Sequence, residues 1–114
     1  MNLRILVGML LVLPVALSAA SPAFAMDAKA AEKLAKKNDC FKCHAIDKTK
    51  KGPSYKKIAA KYAGKTAEGE EKMYKNVTTN PTVKLEDGTE EEHKALKATD
   101  AEIKNLIQWI LSLK

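Results

Sequence analysis

Five consecutive residues constrain the fold of this chain more than any other feature: Cys40, Phe41, Lys42, Cys43 and His44. They form a C-x-x-C-H motif, which is the attachment signature of c-type haem. On a helical turn, Cys40, Cys43 and His44 stand at i, i+3 and i+4 and share one face. The two thiols can then bond the vinyl groups on one haem edge, and His44 can supply the proximal iron ligand. The motif therefore predicts one covalently bound haem c.

Three other uses of these residues fit the sequence less well. A redox-active C-x-x-C accompanies a βαβ pattern, and no segment here alternates long enough to indicate a strand. A disulfide between Cys40 and Cys43 would close a loop too short to constrain the unfolded chain much. A zinc site could draw four ligands from Cys40, Cys43, His44 and His93. Adjacent Cys43 and His44, however, would seldom both reach one tetrahedral metal.

The first 25 residues differ in kind from the rest of the chain. A charged start ending at Arg4 is followed by a nearly unbroken apolar run from Ile5 to Leu17 and by the small-x-small triplet 23–25. This is the pattern of a cleaved signal peptide, and the apolar run is too short for a comfortable membrane span. We therefore expect a protein exported to the periplasm that begins at Met26 and has no membrane span. An uncleaved anchor is the alternative.

The remaining chain, residues 26–114, is long enough for one small domain. It has 19 lysines, no arginine and 14 acidic residues, and its first part, 26–65, has a formal charge of +8. Export, the lack of arginine and the lack of a groove-reading motif argue against nucleic acid. We expect a monomer that docks on acidic redox proteins through a Lys-rich face. This face comprises Lys42, Lys48, Lys50, Lys51, Lys56 and Lys57. A merely solvated surface is the alternative.

Hydrophobic periodicity is helical throughout this domain and predicts an all-α fold. The predicted helices cover about 27–38, 54–63, 67–77 and a last segment that starts at Thr99. Asp27 and Ser54 are good N-caps, and Thr99 with Glu102 forms a capping box. Asn80-Pro81 and Asp87-Gly88 indicate turns in the long connection before the last helix.

The sequence resembles the small class I cytochromes c of the bacterial periplasmic c551/c552 type over essentially all of residues 27–114. The resemblance rests on the segments 36–47, 51–56, 58–64, 99–103 and 108–112. It implies a single-domain fold in which the N- and C-terminal helices cross over a covalently bound haem. It also implies that the Pro53 carbonyl accepts a hydrogen bond from His44 Nδ1–H, which fixes the tautomer of the proximal ligand.

The resemblance further implies a methionine as sixth iron ligand, about six residues before the cap of the last helix. No methionine lies between Thr82 and Ala98, and the sixth position before Thr99 is His93. We therefore predict bis-histidine ligation by His44 and His93. The alternatives are an open iron, or ligation by Met73, whose place on a predicted helix is more typical of core packing.

The ligand set has functional consequences. Methionine with histidine raises a haem potential, so two imidazoles predict a lower potential than in ordinary relatives. With both axial positions filled, the expected function is one-electron transfer rather than enzymatic catalysis. A gas-binding or sensory haem domain is the alternative and requires that His93 be absent from the iron or dissociate; rapid CO binding to the ferrous protein would favour it.

The sequence around His93 also predicts its local structure, because Thr89 and Glu92 are spaced as a capping box and place His93 on a short helical turn.

Overall fold

A computed structural model describes residues 25–114, together with Leu11, Val12 and Pro14. The predicted signal peptide over 1–25 therefore lies almost entirely outside the described residues. Within them, the helices are α1 (Ala28–Lys37), α2 (Tyr55–Lys61), α3 (Thr66–Thr78) and α4 (Asp100–Ser112). A 3₁₀ turn covers Cys40–Lys42, and two short strands are β1 (Thr82–Lys84) and β2 (Glu90–Glu92). No helix in this part of the chain is long and apolar enough to cross a membrane.

The helices begin where short polar side chains can accept hydrogen bonds from their first turns. Asp27 caps α1, Ser54 caps α2, and Thr99 with Glu102 forms a reciprocal capping box at the start of α4. Each of these caps satisfies backbone N–H groups that a helix leaves without partners. The helical prediction is confirmed, with ends that differ by a residue or two.

The core forms where the first and last helices pack against each other. Ala31 and Ala35 have no exposed surface, and such small side chains let another helix approach closely. The buried core cluster comprises Ala31, Leu34, Ala35, Tyr55, Leu106, Trp109 and Ile110. The side chain of Met73 is partly buried and packs against this cluster. The N-terminal helix α1 therefore packs against the C-terminal helix α4, as the resemblance implied, and this contact forms the core.

A buried amide fastens the beginning of α1 to α4. Asn105 Oδ1 accepts the Asp27 N–H at 2.8 Å, and Asn105 Nδ2 donates to the Asp27 carbonyl at 2.9 Å. Asn105 is 6% exposed, so both of its polar atoms find partners within the protein, as burial requires. This clamp fixes where the first helix starts relative to the last one.

The connection between α3 and α4 differs from the prediction. It contains an antiparallel hairpin in which Thr82 pairs with Glu92 and Lys84 with Glu90. The prediction that His93 lies on a short helical turn is wrong, because Glu90–Glu92 is a strand and His93 directly follows it outside any helix. The hydroxyl of Thr89 donates to Asp87 at 2.6 Å inside the hairpin turn and does not cap a helix. The strands were not predicted because three residues are too few to show alternation in a sequence. The observed fold is mostly helical with one small sheet.

Candidate functional site

The C-x-x-C-H motif lies on a tight turn just after α1. Asp39 adopts a left-handed conformation with φ of 59°, which turns the chain out of the helix. The His44 N–H then donates to the Cys40 carbonyl at 2.9 Å. Cys40 and Cys43 are half-buried and not joined to each other. Two unlinked thiols on the turn that carries His44 fit the thioether attachment of a haem.

Within the described part of the chain, no three or more His, Cys, Asp and Glu side chains are grouped so that they could hold a metal ion by themselves. The zinc site considered from the sequence would need four such ligands, Cys40, Cys43, His44 and His93, at one point. The structure therefore offers no support for that alternative.

One ring nitrogen of His44 is held by the backbone. The Nδ1–H donates to the Pro53 carbonyl oxygen, and the two atoms are 2.7 Å apart. This bond leaves Nε2 free to act as a ligand and orients the ring. Burial lowers the pKa of His44, an effect that the Pro53 bond opposes and that nearby His93 reinforces. The neutral imidazole, which is the form that binds iron, is therefore favoured.

Gly52 allows the backbone to pass close to His44. Its N–H donates to the Cys43 carbonyl at 2.8 Å. A Cβ at this position would lie 2.8 Å from His44 Cε1 and 3.1 Å from His44 Nδ1. Only a residue without a side chain fits there unless the imidazole moves.

We expect Gly52→Ala to displace the His44 ring from the Pro53 carbonyl. Overpacking of this kind costs about 1–3 kcal/mol, so the melting temperature should fall and the haem absorption spectrum and reduction potential should change. Gly69→Ala is the matched control, because its Cβ would lie 2.8 Å from Tyr62 Cγ, on α3 rather than beside the histidine. The control should lose stability with an unchanged spectrum. Equal spectra for the two variants would contradict the role assigned to Gly52.

Tyr55 forms the wall behind the proximal histidine. Its ring stacks on His44 with centroids 5.3 Å apart and planes inclined by 25°. It also meets Trp109 edge-on at 5.8 Å and Phe41 at 5.8 Å. Burial raises the pKa of Tyr55, and the neighbouring Cys40 thiol raises it further. The helical pattern of the sequence did not indicate that Tyr55 belongs to the site; its place just after Gly52-Pro53 was the only signal.

His93 enters the site from the end of the hairpin. Its N–H donates to the Pro81 carbonyl at 2.8 Å, which extends the strand pairing by one residue. The ring is half-buried, and Nδ1 lies 3.2 Å from the Lys94 carbonyl oxygen. The centroids of the His93 and His44 rings are 6.2 Å apart, with planes inclined by 39°. The fold thus brings together two imidazoles that are 49 positions apart in the chain.

Comparison with known proteins agrees with these features. The family model described as "Cytochrome c" matches residues 28–114. Cytochrome c-552 of Hydrogenobacter thermophilus is 35% identical over 93 residues, covering 73% of this chain and 81% of that protein. Cytochrome c-552 of Nitrosomonas europaea is 34% identical over 97 residues, covering 76% and 82%.

Solved structures show the same fold. The class 1 cytochrome MtoD from Sideroxydans lithotrophicus ES-1 has a TM-score of 0.74 and 55% identity, covering 78% of this chain and 98% of that one. Wild-type cytochrome c552 from Nitrosomonas europaea has a TM-score of 0.60 and 32% identity, covering 73% and 99%. Together with the C-x-x-C-H turn, these matches show that the chain belongs to the cytochrome c family, whose members transfer electrons with a covalently attached haem c.

Proposed function

We propose that this protein is a periplasmic one-electron carrier whose haem iron is bound by His44 and His93. When bound, a haem supplies a one-electron couple between ferric and ferrous iron. The protein's part is to hold the group covalently through Cys40 and Cys43, to present two imidazoles and to set the potential. The observation that carries this proposal is the 6.2 Å separation of the two imidazole centroids.

The separation has the value that one shared metal ion requires. An imidazole nitrogen binds a metal at about 2 Å, so two imidazoles on opposite sides of one ion have ring centres about 6 Å apart. Aromatic rings in tilted contact reach a similar separation, so ligation of one ion also requires a free nitrogen on each ring. Because each ring has its Nδ1 beside a backbone carbonyl, Nε2 is available on both sides.

Met73 has a different role in this proposal. It packs against the buried core cluster between helices, and a flexible thioether is well suited to filling gaps of that kind. No other methionine of the domain lies between α1 and α4. The sixth ligand is therefore assigned to His93, and Met73 is assigned to packing.

Two imidazoles predict a reduction potential below that of relatives with histidine and methionine ligands, because the thioether is the ligand that raises the potential. Glu90, Glu91 and Glu92 directly precede His93 and act in the same direction by favouring the more positive ferric iron. All three are exposed, so solvent and salt screen most of their effect.

Spectra of the purified holoprotein test the ligand assignment. We expect no near-infrared charge-transfer band of an iron–methionine bond, a potential below that of histidine/methionine relatives, and little binding of CO to the ferrous protein. An iron–methionine band would refute ligation by His93. Rapid CO binding would favour the gas-binding alternative.

The export and partner proposals rest on charge and sequence. The signal-like segment 1–25 supports a periplasmic location, and N-terminal sequencing of the mature protein tests it. The six lysines of the Lys-rich face are all exposed, and Lys42 lies within the haem-binding motif. Such a surface, close to the redox centre, is suited to brief docking of an acidic partner.

We expect electron transfer to an acidic redox protein to slow as ionic strength rises, because electrostatic steering can raise association rates by roughly 10- to 1000-fold at low salt. Lys51→Gln with Lys56→Gln should reduce the low-salt rate. Lys72→Gln with Lys75→Gln on α3 makes the same change in net charge outside the Lys-rich face and should have little effect. Equal decreases in the low-salt rate for the two double variants would mean that the net charge of the protein, and not the Lys-rich face, sets the association rate.

A further inference from the structure

We propose that Asn38 is a positioning residue for the distal ligand, because its side chain fastens the segment that follows His93 to the turn that carries His44. The inference deepens the proposed function and rests on ligation of the iron by His93. It assigns a role in ligand retention to a residue whose side-chain hydrogen bonds go to Leu34 and Lys97 and not to either histidine.

The side chain of Asn38 joins two segments that are far apart in sequence. Its Oδ1 accepts the Lys97 N–H at 2.9 Å, and its Nδ2 donates to the Leu34 carbonyl at 3.1 Å. Asn38 is 5% exposed, so water does not compete well for these bonds. It is also the C-cap of α1, and its backbone N–H donates to the Leu34 carbonyl as well.

Helix capping alone does not account for this arrangement. The backbone N–H of Asn38 already donates to the Leu34 carbonyl. The side-chain oxygen is used instead to hold Lys97, which lies four residues after His93. On its other side, Asn38 is two residues before Cys40, the first cysteine of the motif. One side chain thus connects the two segments that supply the axial ligands.

Other ties hold the segment after β2 on different sides. His93 N–H bonds to the Pro81 carbonyl and Leu96 N–H to the Val77 carbonyl, both at 2.8 Å. These bonds attach the segment to the hairpin and to α3, and both would persist if the whole unit moved away from the haem-binding turn.

A second tie also reaches the side of the motif. Lys94 Nζ lies 3.3 Å from Asp39 Oδ2, but these side chains are 59% and 47% exposed. Exposed ion pairs contribute little to stability. The hairpin itself is tied to the proximal side by Glu86 N–H, which donates to the Lys51 carbonyl at 3.1 Å, but both of these residues are exposed. For the segment after His93, the Asn38 bond is the buried tie to the motif side, and it is the one expected to resist separation of the two histidines.

The decisive measurement is the rate at which cyanide displaces the distal imidazole in the ferric holoprotein. The rate depends on how often the segment carrying His93 opens. Asn38→Ala removes one buried partner from Lys97 and one from Leu34, and we expect displacement to become about tenfold faster, given the usual cost of leaving buried polar groups unpaired. Asn38→Asp keeps an acceptor for Lys97, so its displacement rate should stay near that of the unsubstituted protein although its melting temperature falls.

Asn105→Ala is the matched control. Asn105 is as buried as Asn38 and also makes two hydrogen bonds between segments, but it holds the start of α1 and not the segment after His93. We expect it to lower the melting temperature with no change in the displacement rate. An increase for Asn105→Ala in proportion to its lost stability would show that Asn38 acts only through global stability, and would overturn the proposal.

The outcomes separate this inference from the function on which it rests. If the unsubstituted protein shows an iron–methionine band, ligation by His93 and the role of Asn38 both fall. If the protein is bis-histidine ligated and Asn38→Ala displaces at the original rate, only the role of Asn38 falls. Should Asn38→Ala fail to accumulate as holoprotein, the rate of cyanide displacement in Asn38→Asp is the test. This variant retains the acceptor for Lys97, so an unchanged rate would support the proposal. A tenfold faster displacement would overturn it.

Discussion

The double variant Cys40→Ala with Cys43→Ala should contain no covalently bound haem and should be largely unfolded. The reason is the small size of the core, which in a domain of 89 residues leaves much of the surface exposed. Small domains commonly depend on a cofactor, metal or disulfide for stability. Several apolar side chains next to the core are only partly buried: Phe41, Ile46, Ile58, Met73, Leu96 and Leu113. A covalently bound haem can add apolar contacts that so small a core lacks.

Mass spectrometry of denatured protein gives the direct measurement for this prediction. The unsubstituted chain should exceed its calculated mass by one haem, each single variant should retain one thioether bond in part of the molecules, and the double variant should have the bare polypeptide mass. Far-ultraviolet circular dichroism should show much less helix in the double variant. Cooperative unfolding of the double variant at the original temperature would contradict the stabilising role of the haem.

The His93→Met variant should have a higher reduction potential and a new iron–methionine charge-transfer band. A thioether stabilises ferrous iron relative to an imidazole, and axial ligands tune haem potentials over a range of about 0.8 V, so a rise on the order of 0.1–0.2 V is expected. The His93→Ala variant should leave the iron open, and its ferrous form should bind CO rapidly. Redox titration and near-infrared spectroscopy measure both effects.

Met73→Leu is the control for the ligand assignment. The change conserves volume, and swaps of this type usually cost less than about 1.5 kcal/mol, so the spectrum and the potential should stay as they are. If Met73→Leu altered the near-infrared charge-transfer spectrum while His93→Ala did not, the assignments of Met73 and His93 would be reversed.

Much of the local structure could be predicted from the sequence because it depends on residues within one or two turns of each other. The caps at Asp27, Ser54 and Thr99 formed as predicted, since each requires only a side-chain oxygen and a nearby N–H. The C-x-x-C-H spacing fixes which side chains share a turn. The hairpin was missed for the converse reason: its pairing of Thr82 with Glu92 joins residues of separate segments and has no periodic signal.

The position of His93 was predicted by resemblance to a family and not by local physics. Nothing in Glu90–Glu92 indicates that the next residue approaches His44, and the local spacing even suggested a helical turn. Only the packed hairpin and the bonds of the following segment bring the ring centroids to 6.2 Å. The stacking of Tyr55 on His44 and the bond from Lys97 to Asn38 were likewise outside the reach of sequence patterns.

The C-x-x-C-H motif alone predicts covalent haem attachment, because two thiols and an imidazole within five residues come together on a single turn. Which groups approach this turn from distant parts of the chain depends on the packing of the helices and the hairpin. Asn38 meets Lys97 over 59 positions and Asn105 meets Asp27 over 78. Contacts of such separation form only after the cost in chain entropy has been offset by burial of the core, so no short pattern of residues could specify them.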